Sequence, residues 1–366
     1  MSLVEHLLAD DFRYAFAVST VDLSGNGLPD IVACDTGVGI FWFENVGAGE
    51  FVRHTIHKQE VEWLERHQIA DINRDGKPEI VVVDNWNGSV LWFEYEGDPR
   101  ERSSWSRHYI SEGGLVGAYD VTVADLTGNG RMDVAASSWR TGKQFAWFEN
   151  RGDNWVKRVI EDDLPETRTI HAVEIAGSGR KDLIGTASSA GQVMWYENLG
   201  GNPGQMWQKH IIDSSAGRVI HGNLVDMDGD GGVDLVTAVG VSGKTPEELA
   251  VQQVVWYEHE GDPRASPWTK HVICERFPFG FEAIGVDLDG DGEIEVVATG
   301  GGDEGRVAVF KHRGDPRGVW DMELIKANWP RANQVITADL TGNGRPDLIV
   351  AAERDNQEIR WWENRA

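Results

Sequence analysis

The chain has 366 residues, 34 Lys and Arg against 60 Asp and Glu for a net charge of −26, and 40% hydrophobic residues. Such apolar content supports a large core and excludes a disordered chain, while the acidic balance argues against nucleic acid or an anionic membrane as the main partner, because both repel it. The apolar runs are too short for a transmembrane helix, and two cysteines, Cys34 and Cys274, are too few for a disulfide scaffold and read as small buried hydrophobes.

At the N-terminus, Met1-Ser2-Leu3-Val4-Glu5-His6 has neither the basic nor the apolar region of a signal peptide. It suits a cytoplasmic protein, or a secreted one whose leader has been removed, and the sequence leaves both open. From Ala15 onward one unit repeats. A strand-like run, Ala15 to Val21, leads into the acidic loop DLSGNGLPD at Asp22. The loop returns as DINRDGKPE from Asp71, DLTGNGRMD from Asp125, EIAGSGRKD from Glu174, DMDGDGGVD from Asp226, DLDGDGEIE from Asp287 and DLTGNGRPD from Asp339.

Each loop is followed by a β-branched run such as Ile80 to Val83, then by an aromatic strand such as Phe41-Trp42-Phe43-Glu44-Asn45 or Arg360-Trp361-Trp362-Glu363-Asn364. The sixth copy departs here, with Val309-Phe310-Lys311. A polar turn, often Gly-Asp-Pro, precedes a short fourth strand such as Trp207 to Ile212. Each unit therefore reads as a four-stranded antiparallel meander with the acidic loop as its first hairpin. Seven meanders in a row predict a radial array, because a closed ring protects sheet edges that an open stack leaves bare.

The last unit lacks a fourth strand, and Val4 to Leu8 resembles one. Pairing of residues 3–9 with 357–364 is thus expected. The fold class that follows is all-β: one seven-bladed β-propeller over residues 1–366, four antiparallel strands per blade, its seventh blade closed by the N-terminal strand.

The D-x-x-G-N-G-x-x-D and D-x-D-G-D-G-x-x-D loops followed by W-F-E-N resemble the FG-GAP/VCBS repeat family of β-propellers, over nearly the whole chain. The architecture serves adhesion, sugar binding and lyase chemistry alike, so the resemblance fixes fold more than function. It implies calcium in a stabilising role. A weaker resemblance is to the propeller part of fungal aldos-2-ulose dehydratase.

Positions 1, 3, 5 and 9 of a loop can direct oxygens to one point, which suits Ca2+. The expected sites are Asp226, Asp228, Asp230 and Asp234 in the fifth loop, Asp287, Asp289, Asp291 and Glu295 in the sixth, and Asp71, Asn73, Asp75 and Glu79 in the second. In the first, third and seventh loops Asp22, Asp125 and Asp339 are expected to cap the turn without metal. The fourth loop, with Ala176 and Ser178, is expected to be empty of metal.

Five residues before each loop stand Ala17, Arg66, Asp120, Thr169, His221, Glu282 and Gln334, and three before it Ser19, Gln68, Thr122, His171, Asn223, Ile284 and Ile336. Polar groups on innermost strands predict a hydrated central funnel, and their variety suggests one asymmetric ligand, with mutual pairing, such as Arg66 with Asp120, as the plainer account. Tyr14, His67, Tyr119, Arg168, Phe281, Asn333 and Gln334, with Asp35, Asp84, Asn85, Trp86, Trp139, Arg140, Glu353 and Arg354 from the next loops, complete the expected lining. A long loop, Val241 to Gln253, belongs to the same face, and Pro246 to Leu249 reads as a one-turn helix. Aromatic faces beside carboxylates, amides and Arg suit a carbohydrate or another small polar ligand.

Binding in the funnel is the leading function. The alternative is a sugar lyase or dehydratase, in which His171 or His221 abstracts a proton, Arg66 stabilises charge, and Asp120 or Glu282 joins the histidines around Zn2+ or another divalent ion. A protein-interaction platform is the third reading. Oligomeric state is not encoded in any visible pattern.

Overall fold

The computed structural model describes residues 2–58, 62–240, 245, 249–354 and 356–365. Most of the long loop from Val241, including Pro246 to Glu248, lies outside the described residues.

The repeat folds as a meander. In the first unit Ala15–Val21, Asp30–Asp35, Gly39–Gly47 and Glu50–Lys58 neighbour one another in that order, all antiparallel. The second, third and fourth units form four-stranded sheets of the same order, starting at Leu64–Ala70, Ala118–Ala124 and Thr167–Val173. The fifth and sixth fuse into one eight-stranded sheet. Their first strands, Val219–Val225 and Gly280–Val286, pair in parallel with His221 opposite Glu282. Gly285 permits that approach, since a Cβ there would lie 2.7 Å from Val225 Cγ1.

In the last unit Ala332–Ala338, Asp347–Ala352 and Glu358–Arg365 are completed by Ser2–Ala9. Leu3 faces Asn364 and His6 faces Trp361, so the expected pairing of the two ends of the sequence is observed. The first strands of successive units pack against each other in chain order, and Ala332–Ala338 returns to Ala15–Val21. No α-helix occurs among the described residues. This is the all-β arrangement of a β-propeller.

Burial explains the strand sequences. Second strands such as Glu79–Asp84 are buried along their whole length, between the neighbouring sheets, and so read as continuous apolar runs. Fourth strands such as Trp320–Lys326 are half exposed and mixed in sequence. The repeated tryptophans are core, as expected. Trp42, Trp147, Trp195, Trp256 and Trp361 are at most 1% exposed, and Trp42 packs with Leu64, Ile80 and Val82 of the next unit. Trp42, Trp92, Trp195, Trp256 and Trp361 each lie 4.3–4.6 Å from a fourth-strand histidine, His54, His108, His210, His271 or His6. The glutamate two residues after each tryptophan holds that histidine. Five of the eleven histidines are thereby structural.

The ninth loop position anchors each unit. Asp30 accepts the Leu23 and Ser24 N–H groups on one oxygen and the Asn45 N–H on the other. Asn45 then donates through Nδ2 to Leu340 O of the last unit at 2.7 Å. Asp182 with Asn198, and Asp347 with Asn364, repeat this joint towards Leu126 and Leu288. A buried carboxylate accepting several backbone N–H groups is a strong local constraint.

Candidate functional site

The acidic loops differ from one another in what fills them. In all three richest loops the first Asp caps backbone N–H groups: Asp71 those of Asp75 and Gly76, Asp226 those of Gly229 and Gly231, and Asp287 those of Gly290 and Gly292. Asp22, Asp125 and Asp339 cap their loops in the same way.

Three groups bring carboxylate oxygens within 4.8 Å of one another: Asp71, Asp75 and Glu79; Asp226, Asp228 and Asp230; Asp287, Asp289 and Asp291. Asp234 and Glu295 stand apart from this pattern. Both are 1% exposed. Asp234 gives its two oxygens to the Met227 and His259 N–H groups, and Glu295 accepts the Leu288 N–H. In the fifth loop both oxygens of position 9 are taken by the backbone joint, whereas Glu295 gives it one, as Glu79 does to the Ile72 N–H.

The fifth and sixth loops also contain basic side chains. Arg317 pairs with Asp228 and Glu258. Lys311 Nζ sits among Asp289 at 2.5 Å, Glu295 at 3.1 Å and Asp291 at 3.2 Å. Among the described residues the second loop has no basic side chain in salt-bridge range of Asp71, Asp75 or Glu79. Its donor set, with Asn73 beside it, fits a hard cation better than the other two.

The expected open funnel is corrected. First strands such as Thr167–Val173 are buried at their start and half exposed only towards the acidic loop. Arg66, Asp120, His221 and Glu282 are 0–5% exposed. Arg66 reaches across the axis to Glu282 at 3.0 Å and lies 3.8 Å from Asp120. Burial opposes the Arg66 charge, and Glu282 and Asp120 more than reverse this, so its pKa is raised. The plainer account, charges that pair with each other, is the one observed.

The variety of these residues also has a structural cause. The first strand of each sheet is an edge whose N–H groups face the preceding unit, and that unit supplies an acceptor. Gln68 serves Val123 N, Asp120 serves Ile170 N, Thr122 serves Ala172 N, Asn223 serves Gly285 N, Glu282 serves Val335 N, and Gln334 serves Val18 N. Any side chain of suitable reach satisfies an edge N–H group.

The histidines are similarly engaged. Thr169 donates its hydroxyl proton to Ile220 O, so His221 Nδ1–H donates to Thr169 Oγ1, and His221 Nε2 accepts from Tyr119 Oη at 2.9 Å. His221 therefore has no lone pair for Zn2+. His171 Nε2 is 3.1 Å from Gly222 O, and burial lowers its pKa. His67 meets Ser19 Oγ at 2.7 Å, and burial pushes its pKa down to about 3. Among the described residues no group unites His171 and His221 with Asp120 or Glu282 at metal-ligand spacing. The proposed Zn2+ set is not assembled.

Beside these charges the centre is aromatic. Phe16 meets Tyr119 and Phe281 edge-on, both at 6.2 Å. Above this floor, on the face away from the acidic loops, opens a cavity of about 320 Å3. Its lining comes from the starts of the first strands (Phe16, Glu65, Tyr119, Arg168, Ile220, Phe281), from Tyr14 and Trp63 just before them, and from Trp86, Trp139, Arg140, Glu353 and Arg354 in the turns between second and third strands. Nine of the expected lining residues are present. His67, Gln334, Asn333, Asp35, Asp84 and Asn85 do not line the cavity; Asp35 accepts the Arg13 and Tyr14 N–H groups, and Asp84 accepts that of Trp63.

Phe16, Glu65, Ile220 and Trp63 were not expected. The first three occupy the same repeat position as Tyr119, Arg168 and Phe281, six residues before the loop, so reading that position through every unit finds them. Trp63 shares the repeat position of Tyr14, eight residues before the loop, so the same reading finds it.

The cavity is aromatic and cationic. Trp63 stacks on Trp86 at 4.9 Å and donates Nε1–H to Glu65 at 2.6 Å. Burial pushes Glu65 up to about 8, so it is largely protonated at neutral pH. Arg168, 3% exposed, lies 4.1 Å over Trp139 and 4.8 Å over Tyr119. Arg140 lies 4.0 Å over Trp139 from a backbone at φ +61°, a strained setting for a non-glycine residue.

Comparison with known proteins agrees with this architecture. Within a curated set, 149 aligned residues are 32% identical to integrin alpha-5 of Xenopus laevis, covering 36% of this chain and 14% of that protein. The crystal structure of Chaetomium thermophilum Raptor superposes with a TM-score of 0.59 at 10% identity, over 100% of this chain and 28% of that one, a likeness of fold alone. The FG-GAP-like repeat model matches residues 22–82, 71–136 and 287–365. With more than half of its residues matched in this way, the chain belongs to the FG-GAP-like repeat family.

Proposed function

We propose that seven units over residues 1–366 close one seven-bladed ring, and that the ring is a binding module that takes a carbohydrate or small polar ligand in the aromatic cavity. The observation that carries this is the cavity itself: Trp63, Trp86 and Trp139 offer flat faces, and Arg140, Arg168 and Glu65 converge beside them. Such a mixture of stacking surface and few polar groups suits a sugar. A binding or interaction platform is the coarser description, and the size of the cavity favours a small ligand. Nucleic acid and membranes are not proposed as partners.

Catalysis by His171 or His221 is not favoured, because neither lines the cavity and His221 is committed at both nitrogens. Calcium is proposed as a structural ion. Asp71, Asn73, Asp75 and Glu79 would hold it in the second loop and Asp226, Asp228 and Asp230 in the fifth, where it would offset carboxylate repulsion.

The test is a thermal-shift panel of glycans and keto-sugars with and without chelator. A rise in melting temperature for a sugar, lost in Trp139→Ala, is expected. No response to any sugar refutes the ligand reading, and a melting curve unchanged by chelator refutes the calcium role.

A further inference from the structure

We propose that the cavity selects a small sugar bearing a carboxylate, a uronate-type ligand, over its neutral counterpart. This rests on the carbohydrate reading above and narrows it.

The donors around the cavity outnumber its acceptors. Arg168 is a buried guanidinium whose hydrogen-bond partners are the Ser188 hydroxyl, at 3.2 Å, and the Tyr119 hydroxyl, and whose carboxylate contact, Glu166, is 3.9 Å away. Taking a cation out of water is costly until an anion sits close to it. Arg140 makes no hydrogen bond or ion pair among the described residues and rests on Trp139. The Trp139 indole Nε1 is buried without a hydrogen-bond partner. Arg354 is neutralised by its neighbour Glu353 at 3.3 Å. Glu65, the remaining carboxyl, is largely protonated at neutral pH and hydrogen-bonded to Trp63.

The cavity therefore presents two incompletely paired guanidinium groups and an indole N–H beside flat aromatic walls. It does so on a chain of net charge −26, whose general field repels anions. A carboxylate supplies the acceptors that Arg140, Arg168 and Trp139 lack, and a pyranose ring covers the tryptophan faces.

The test is a tryptophan-fluorescence titration of the full chain with D-glucuronate, D-glucose and benzoate. D-Glucuronate should bind about tenfold more tightly than D-glucose, as expected for a charge-assisted contact. Arg140→Gln, at an exposed position, should remove that margin, costing D-glucuronate more affinity than D-glucose. Equal affinity for D-glucuronate and D-glucose overturns the proposal and leaves the sugar pocket standing. Benzoate binding as tightly as D-glucuronate overturns the sugar half of it.

A readout independent of these sugars is quenching by iodide against acrylamide. Iodide should quench the wild-type chain more than Arg140→Gln, with acrylamide equal in both. Equal iodide quenching overturns the anion site. Arg140-dependent iodide quenching without response to any sugar sinks the carbohydrate reading instead.

Discussion

Lys311 stands where six other units have the glutamate of their tryptophan-x-glutamate strand, and its ammonium occupies the middle of the sixth acidic loop. The loop therefore has its own tethered cation, and in the wild-type protein calcium should choose the second loop, which has none, over the sixth. Lys311 is 44% exposed at its side chain, so solvent screening limits each contact to about 0.2–1 kcal/mol, or roughly 1–2 kcal/mol for the three together. Lys311→Glu restores the common pattern and replaces attraction by repulsion, so it should cost roughly 2–3 kcal/mol without metal. Calcium should then rescue it, by about 2.7 kcal/mol at a free concentration 100 times its dissociation constant. Calorimetric titration counts the bound ions and thermal melting follows the rescue. One additional calcium in Lys311→Glu, with a melting temperature that rises on adding it, is the expected result. If Asp289→Asn/Asp291→Asn in the otherwise native chain removes a bound calcium, or Lys311→Glu gains none, the tethered-cation argument is wrong.

Glu65 provides a pH prediction. Its pKa rises from 4.5 to about 8 on folding, so stability from this group is full below pH 4.5 and is lost as pH climbs towards 8, at about 1.4 kcal/mol per unit. Glu65→Gln should flatten that slope in denaturant titrations, and an unchanged slope contradicts it. Asn45→Ala removes the Nδ2 bonds to Pro29 O and Leu340 O across the seam between first and last units; a loss of about 2 kcal/mol in urea unfolding is expected, and less than about 0.5 kcal/mol counts against the joint. Arg66→Met strands Glu282 and Asp120 and should cost about 3–5 kcal/mol, with much of it recovered by adding Glu282→Gln. An additive double variant would show that the charges act independently.

The repeat made the sheets legible. A loop every fifty or so residues, a β-branched run after it and an aromatic strand after that fix four strands per unit, and the orphan strand at Val4 to Leu8 points to its partner. The metal loops were legible as acidic clusters, but not their occupants: Lys311 and Arg317 come from a different strand and from a neighbouring unit's turn. The interior was misread for a related reason. Arg66, Asp120, Glu282 and Gln334 looked like a ligand-binding throat because their partners are backbone N–H groups and charges on other units, which no local pattern records. The cavity, built where several loops meet, was found through its aromatic and arginine content at aligned positions, and missed at Trp63, although that residue shares the position of Tyr14 eight residues before the loop.

Pairing Leu3 with Asn364 has a consequence for synthesis on the ribosome. Ser2–Ala9 is made long before its partner and must wait, unpartnered, until Glu358–Arg365 has emerged, and only then can the two pair. Such extreme sequence separation implies slow final assembly, and a product lacking Ser2–Ala9 exposes the edge of Glu358–Arg365. Nascent chains stalled before Glu358 should therefore be recognised by protein quality control as sticky molecules with an unpaired strand.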